Sequence, residues 1–216
     1  MEEVNRWRTR PLKPFYPFSF VDCIYVSMRT ERGIRQVAVY VMLAYDTNWY
    51  KDVLGLWINE TESKHAWMQI FDELKARGIE DLGILSMDGV SGLEEGAKAV
   101  FTNVTVQRCI VHLIRNSIRY IPRKQWSAFT KQLKGIYGAV NVEEAQRAFD
   151  QFKQDWQRYP SAIAVWENNF QHVDQLFNYG SAVRKVMYTT NAIESVNASF
   201  RKVAKKGSFP NEEAVF

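Results

Sequence analysis

Three acidic side chains stand apart from their surroundings. Asp22 interrupts Phe18, Phe20, Ile24 and Val26, the alternate positions of an aromatic and β-branched run that reads as a strand. A carboxylate in that row faces a core. An unpaired charge is costly there, so such a group is ion-paired, hydrogen-bonded or bound to metal. Pairing with an arginine is the plain alternative to a metal. Asp88 follows the apolar run Leu82 to Met87 and precedes a predicted helix. That position is the strand edge where α/β sheets gather ligands, although Asp88-Gly89 also reads as an ordinary turn. Glu194 opens a late helix, and Asn191 three residues earlier gives it the look of a capping box.

Basic residues accompany them at helical spacing. Beyond Glu194 the helix carries Ile193, Val196, Phe200 and Val203 on one stripe, with Glu194, Asn197, Arg201 and Lys205 on a polar face. Lys202 adds a further charge. A second basic face is read as Arg108, His112, Arg115 and Arg119, whose plainer reading is a solvated surface. Cys109 and His112 lie one turn apart. Two aspartates and a glutamate supply hard oxygen ligands, which select Mg²⁺ or Mn²⁺ over zinc. Two such ions about 3.5–4 Å apart can clamp the attacking and leaving oxygens of an in-line phosphoryl displacement. The basic faces would then hold nucleic-acid phosphates.

The elements that must position these groups follow from periodicity. Strands are expected at Phe18 to Met28, Arg35 to Tyr45 and about Trp49 to Ile58, joined by short polar turns that favour an antiparallel meander. A helix capped by Ser63 buries Trp67, Ile70, Phe71 and Leu74, and Gly78 ends it. A strand at Leu82 to Met87, a helix at Leu93 to Val100 and a strand near Val104 to Val106 complete an α/β pattern around a mixed sheet. From Arg108 onward the pattern is helical. Its apolar stripes are Trp126, Phe129, Leu133 and Ile136; then Ala145, Phe149, Phe152 and Trp156; then Trp166, Phe170, Val173 and Phe177. Pro122, Pro160 and Gly180 mark breaks.

Composition narrows the class. Hydrophobic residues at 46% and charged residues at 24% fit a soluble globular chain, and no apolar run approaches a membrane span. The N-terminus lacks a signal peptide's layout, so a cytoplasmic protein is expected. The 28 basic and 24 acidic side chains leave a formal charge of +4, which permits a polyanionic partner without requiring one. Two cysteines and three scattered histidines argue against a disulfide framework or a structural zinc.

Several blocks, in order, resemble the bacterial mutator-type transposases of insertion sequences. They are Asp22-Cys23-Ile24-Tyr25-Val26, Leu54-Gly55-Leu56-Trp57, Asp88-Gly89, Gln107-Arg108-Cys109-Ile110-Val111-His112, and Tyr188-Thr189-Thr190-Asn191-Ala192-Ile193-Glu194-Ser195-Val196-Asn197. The resemblance runs from about Pro11 to the last residue. It implies a ribonuclease H-like mixed sheet flanked by helices, with an all-helical insertion before the last catalytic helix. The expected division is 11–121 for the first part of the core, 122–185 for the insertion and 186–216 for the final helix region.

By the same resemblance Asp22, Asp88 and Glu194 form the catalytic, metal-binding triad, and Cys109 and His112 match a supporting Cys-x-x-His signature. Arg108, Arg115, Arg119, Asn197, Arg201, Lys202 and Lys205 are the DNA-contact candidates. The implied reaction is metal-dependent hydrolysis of a DNA strand at the element's end, then attack of the freed 3′-hydroxyl on target DNA. Two Mg²⁺ or Mn²⁺ ions, element ends and target DNA as partners, a homo-oligomeric active complex and a nucleoid-associated location follow. Compared with the family pattern, the chain reads as a truncated catalytic core. A non-catalytic DNA-binding or oligomerising remnant is the alternative.

Overall fold

The computed structural model describes residues 2–31, 33–58, 63–188, 191–204, 208–211 and 213–215. The chain divides into two compact units, Met1–Val106 with Thr190–Phe216, and Gln107–Thr189.

A short helix α1 (Glu2–Thr9) precedes the three expected consecutive strands. These are β1 (Phe15–Thr30), β2 (Gly33–Tyr45) and β3 (Lys51–Ile58). They form an antiparallel meander, with Asp22 facing Val41 across β1–β2 and Val41 facing Leu56 across β2–β3. Helix α2 (Lys64–Ala76) leads to β4 (Asp81–Met87), and α3 (Leu93–Val100) leads to β5 (Thr105–Arg108). The sheet order is β3-β2-β1-β4-β5, and β4 lies parallel to β1, so the sheet is mixed. A parallel neighbour needs a crossover connection, and the stretch through α2 supplies it.

β1 is longer at both ends than its apolar run suggests. Phe15 and Tyr16 pair with Asp81 and Leu82 of β4, while Arg29 and Thr30 pair with Ile34 and Gly33 of β2. Backbone pairing thus extends β1 past Pro17 at one end and through Arg29 at the other, beyond the run Phe18 to Met28. As a central strand covered on both faces, β1 reads as nearly continuous apolar sequence, and Asp22 is its one acidic residue.

One sheet face packs against α2 and α3. Tyr40, Met42 and Leu54 meet Trp67, Ile70, Phe71 and Leu74 of α2 and Leu93 and Ala97 of α3. The expected α2 stripe is the buried one, and Ser63 Oγ caps the helix by accepting from the Ala66 N–H at 3.2 Å. Aromatic edges interlock: Tyr40 and Trp67 have ring centroids 4.8 Å apart at 79°, a favourable edge-to-face geometry. The other sheet face carries Phe18, Phe20, Ile24 and Val26, with Leu43, Val39 and Val37 opposite the last three. The late helix α10 (Asn191–Ala204) packs on β1 and β2. Isoleucine 193 on α10 is buried.

The second unit is helical. It contains α4 (Ile110–Ile118), a 3₁₀ turn at Arg123–Gln125, α5 (Trp126–Tyr137), α6 (Val142–Asp155), α7 (Pro160–Glu167), α8 (Phe170–Gln175) and α9 (Ser181–Met187). Helix α4 packs on α5 and α7, and α5 on α6. Asn141 caps α6 by accepting from the Glu144 N–H at 2.8 Å, and Pro160 starts α7 where its missing N–H costs nothing.

Three expectations need correction here. Trp126 is 40% exposed although Phe129, Leu133 and Ile136 are fully buried, because its indole N–H turns back to the Ile121 carbonyl at 2.8 Å. The third stripe is split, since α7 ends at Glu167 and α8 begins at Phe170; Trp166 and Val173 are buried, Phe170 and Phe177 half-buried. Arg108 belongs to no helix. It ends β5, and Cys109 stands at the N-cap of α4 with extended backbone.

Candidate metal centre

Adjacent parallel strands lie about 4.8 Å apart, and side chains alternate between faces along each. Phe18 pairs with Ile84, Phe20 with Ser86 and Val21 with Met87. One step further brings Asp88, the first residue after β4, level with Asp22 on β1 and on the same sheet face. The coordinates agree: carboxylate oxygens of Asp22 and Asp88 lie within 4.8 Å of each other. Residues far apart in sequence become neighbours by register alone.

Their environments differ. Asp22 is 5% exposed, while Asp88 is half-buried at the head of a loop. That loop is shaped by Gly89 and Gly92, whose φ angles of 92° and 75° lie in the left-handed region where a side chain is strained. Asp88 therefore leaves the strand at a sharp corner. Asp88 and Gly89 lie in the irregular stretch after β4, and the hydrogen-bonded turn falls later, at Ser91 and Gly92.

Asp22 Oδ1 accepts from the Cys23 N–H at 2.9 Å, and Asp22 Oδ2 accepts from the side-chain amide of Asn197 on α10. Asn197 is fully buried. The sequence assigns it to the polar face of α10 as a DNA contact; with no exposed surface, it turns inward onto Asp22 instead. The sequence did hold the clue. Ile193, Val196, Asn197 and Phe200 stand at i, i+3, i+4 and i+7, the pattern of a buried stripe. Asn197 Oδ1 is buried and has no hydrogen-bond partner among the described residues. Orphaned buried acceptors are rare and ask for an explanation.

Glu194 is half-buried on α10, three residues before Asn197. Residues so spaced on a helix have Cβ atoms about 5–6 Å apart, so Glu194 stands about one turn from the amide that holds Asp22. Among the described residues, its carboxylate does not come within 4.8 Å of both aspartates. Arg201 and Lys202 follow on the same helix and are exposed, while Lys205 lies outside the described residues.

In the second unit Arg108 is half-buried, and Arg115 and Arg119 are exposed. Arg119 places its guanidinium 5.0 Å from the Tyr120 ring centre. Cys109 is buried at the cap of α4, and His112 is half-buried in its first turn.

Known proteins share this sequence along its length. The family profile described as "Transposase, Mutator family" matches residues 1–216. The transposase for insertion sequence element ISRM3 of Rhizobium meliloti (strain 1021) is 40% identical over 99% of this chain and 54% of its own length. A probable insertion-sequence transposase of Corynebacterium diphtheriae is 35% identical over 99% of this chain and 63% of its own length. The transposase for insertion sequence element IS256 in transposon Tn4001 of Staphylococcus aureus is 28% identical over 97% and 55%. The chain thus spans little more than half the length of these curated relatives. It belongs to the Mutator family of insertion-sequence transposases.

Proposed function

We propose that this chain forms the catalytic core of a metal-dependent DNA transposase. In this reading residues 11–121 and 186–216 make a ribonuclease H-like core, and 122–185 form a helical insertion within it. The observation that carries the proposal is the pair Asp22 and Asp88, with oxygens within 4.8 Å, beside a buried Asn197 acceptor lacking a hydrogen-bond partner among the described residues. Two carboxylates held that close repel each other, and a divalent cation relieves the repulsion.

The donors fit such an ion. All are hard oxygens, suited to Mg²⁺ or Mn²⁺. Asp22, Asp88 and Glu194 would hold two ions. Ions about 3.5–4 Å apart need ligands on both flanks, so Glu194 need not crowd both aspartates. Bound there, the pair would supply Lewis-acid stabilisation to the attacking and leaving oxygens of a phosphodiester displacement. Asn197 fixes the Asp22 carboxylate through its amide donor. Arg108, Arg115, Arg119, Arg201 and Lys202 would contact DNA phosphates, and Cys109 and His112 would support the site without reacting. Water would displace the 3′-oxygen at the cut, leaving a 3′-hydroxyl and a 5′-phosphate, and that hydroxyl would then attack a target phosphodiester and displace the target strand's own 3′-oxygen. No protein nucleophile enters. Element ends and target DNA are the substrates, a homo-oligomer the working form, and the bacterial cytoplasm and nucleoid the setting. No helix among the described residues is long and apolar enough to cross a membrane.

The test is nicking of generic duplex DNA with Mn²⁺ by the purified chain and its Asp88→Asn variant. Nicking that needs Mn²⁺ and disappears in a folded variant supports the proposal. Equal nicking by both proteins sinks it, and DNA affinity without any cleavage by the wild type favours a non-catalytic DNA-binding role.

A further inference from the structure

The charge of this protein is unevenly divided. The unit Gln107–Thr189 carries 12 basic and 6 acidic side chains, a formal net of +6. The remaining residues carry 16 basic and 18 acidic ones, a net of −2. The whole excess belongs to the helical unit. Within that unit, all 6 acids lie beyond Val142, and the run Gln107 to Val142 holds 7 basic residues and no Asp or Glu.

The cations of that run concentrate where α4 turns into α5. Arg119, Arg123 and Lys124 are exposed and form no ion pair among the described residues. A solvated helix face intersperses its charges with acids; this corner has none to intersperse. The corner is also built firmly. Tyr120 N–H donates to Ser117 O at 3.2 Å, Ile121 N–H to Ile118 O at 2.9 Å, and Gln125 N–H to Pro122 O at 2.8 Å. Ile121 is buried beneath, and the Trp126 indole closes onto its carbonyl. Arg119 is held by stacking on Tyr120 and by a 3.1 Å hydrogen bond to the phenol oxygen. A guanidinium fixed in advance loses less entropy when it binds phosphate.

We infer that the α4–α5 corner, with Arg119, Arg123 and Lys124 as its cations, grips the sugar–phosphate backbone of duplex DNA. Arg123 and Lys124 thereby join the DNA contacts, at a site built entirely within the helical unit. This rests on the reading that DNA is the partner, but not on the metal centre.

The experiment compares wild type with the triple variant Arg119→Gln, Arg123→Gln, Lys124→Gln in EDTA. Fluorescence anisotropy with a 30-base-pair duplex of arbitrary sequence gives affinity across a salt series. Each phosphate contact contributes a slope of about 0.9 in log K against log salt. The variant should lose about 2–3 from that slope and about two orders of magnitude in affinity near 0.1 M salt. Far-UV circular dichroism should be unchanged, since all three side chains are exposed. The companion Arg119→Lys, Arg123→Lys should retain the wild-type slope. A steep wild-type slope that the triple variant leaves intact overturns the inference while DNA binding itself stands. A wild type that prefers single-stranded RNA, or binds no nucleic acid, overturns the DNA reading as well.

Discussion

Replacing Asp88 by Asn removes one charge at nearly constant shape, and the geometry gives the consequence a sign that depends on metal. Two ionised carboxylates whose oxygens lie within 4.8 Å repel by at least about 3.5 kcal/mol at an effective dielectric near 20. Asp88 is half-buried, and Asp22 already accepts from Asn197 and the Cys23 N–H, so screening and these donors absorb part of the repulsion. About 1–2 kcal/mol should remain. Without divalent ions the variant should therefore be the more stable protein. With an m-value of about 2 kcal/mol per molar urea, its midpoint should rise by about 0.5–1 M in EDTA. Adding Mn²⁺ reverses the order. At about 100 times its dissociation constant, an ion bound only by the folded wild type adds about 2.7 kcal/mol, and the variant gains far less. Urea unfolding followed by circular dichroism and by tryptophan fluorescence measures both arms, and agreement of the two probes guards against separate unfolding of the units. A variant less stable than wild type in EDTA refutes the repulsion. Equal Mn²⁺ responses in the two proteins refute ligation by Asp88.

Asn197→Leu keeps volume and apolar packing but withdraws the donor to Asp22, and hydrogen bonds to charged groups contribute about 1.5–3 kcal/mol; equilibrium unfolding should show a loss of that size. Were Asn197 a phosphate contact instead, stability would hold and DNA affinity would fall. Asp46 is buried at the turn after β2, where the Lys13 ammonium first, then the N–H groups of Tyr50 and Asn48, hold its carboxyl below the usual 3.8. A depressed folded-state value means that its stabilisation is complete above the unfolded value and is lost as pH falls through the folded one. Asp46→Asn should accordingly be less stable than wild type at neutral pH, and the gap should shrink below about pH 4 in melting temperatures taken from pH 6 to 2; a gap that stays constant through that range contradicts the assignment.

The strands were legible because apolar alternation and short polar turns are local signals. So was α2, where a serine cap and a four-residue stripe agree. What the sequence could not declare was adjacency. Nothing local in Leu82 to Met87 says that it pairs with β1 instead of with β3, and the meeting of Asp22 with Asp88 depends on that choice. Helix starts were blurred where a strand runs straight into a helix. Arg108, Cys109 and His112 have helical spacing on paper, yet Arg108 finishes β5 before the helix begins. Polarity misled at Asn197. Its chemistry suggested solvent, whereas its phase beside Ile193 and Phe200 pointed inward, and phase decided because α10 has a sheet to cover.

Burying Asn197 ties two tasks to one helix. Ile193 supplies apolar contact for α10, but apolar contact tolerates rotation and sliding, whereas a hydrogen bond to a buried carboxylate does not. The Asp22–Asn197 bond therefore fixes both the azimuth and the height of α10 against β1. Glu194 lies about one turn toward the N-terminus from that anchor and Arg201 about one turn toward the C-terminus, about 4.5 and 6 Å along the axis at 1.5 Å per residue. A carboxylate and a cation are thus set on either side of a fixed point on the Asp22 strand. Any ligand role for Glu194 and any phosphate contact by Arg201 inherit their position from the Asn197 amide. Loosening that amide should disturb metal affinity and DNA affinity together, whereas changing Arg201 should disturb DNA affinity alone.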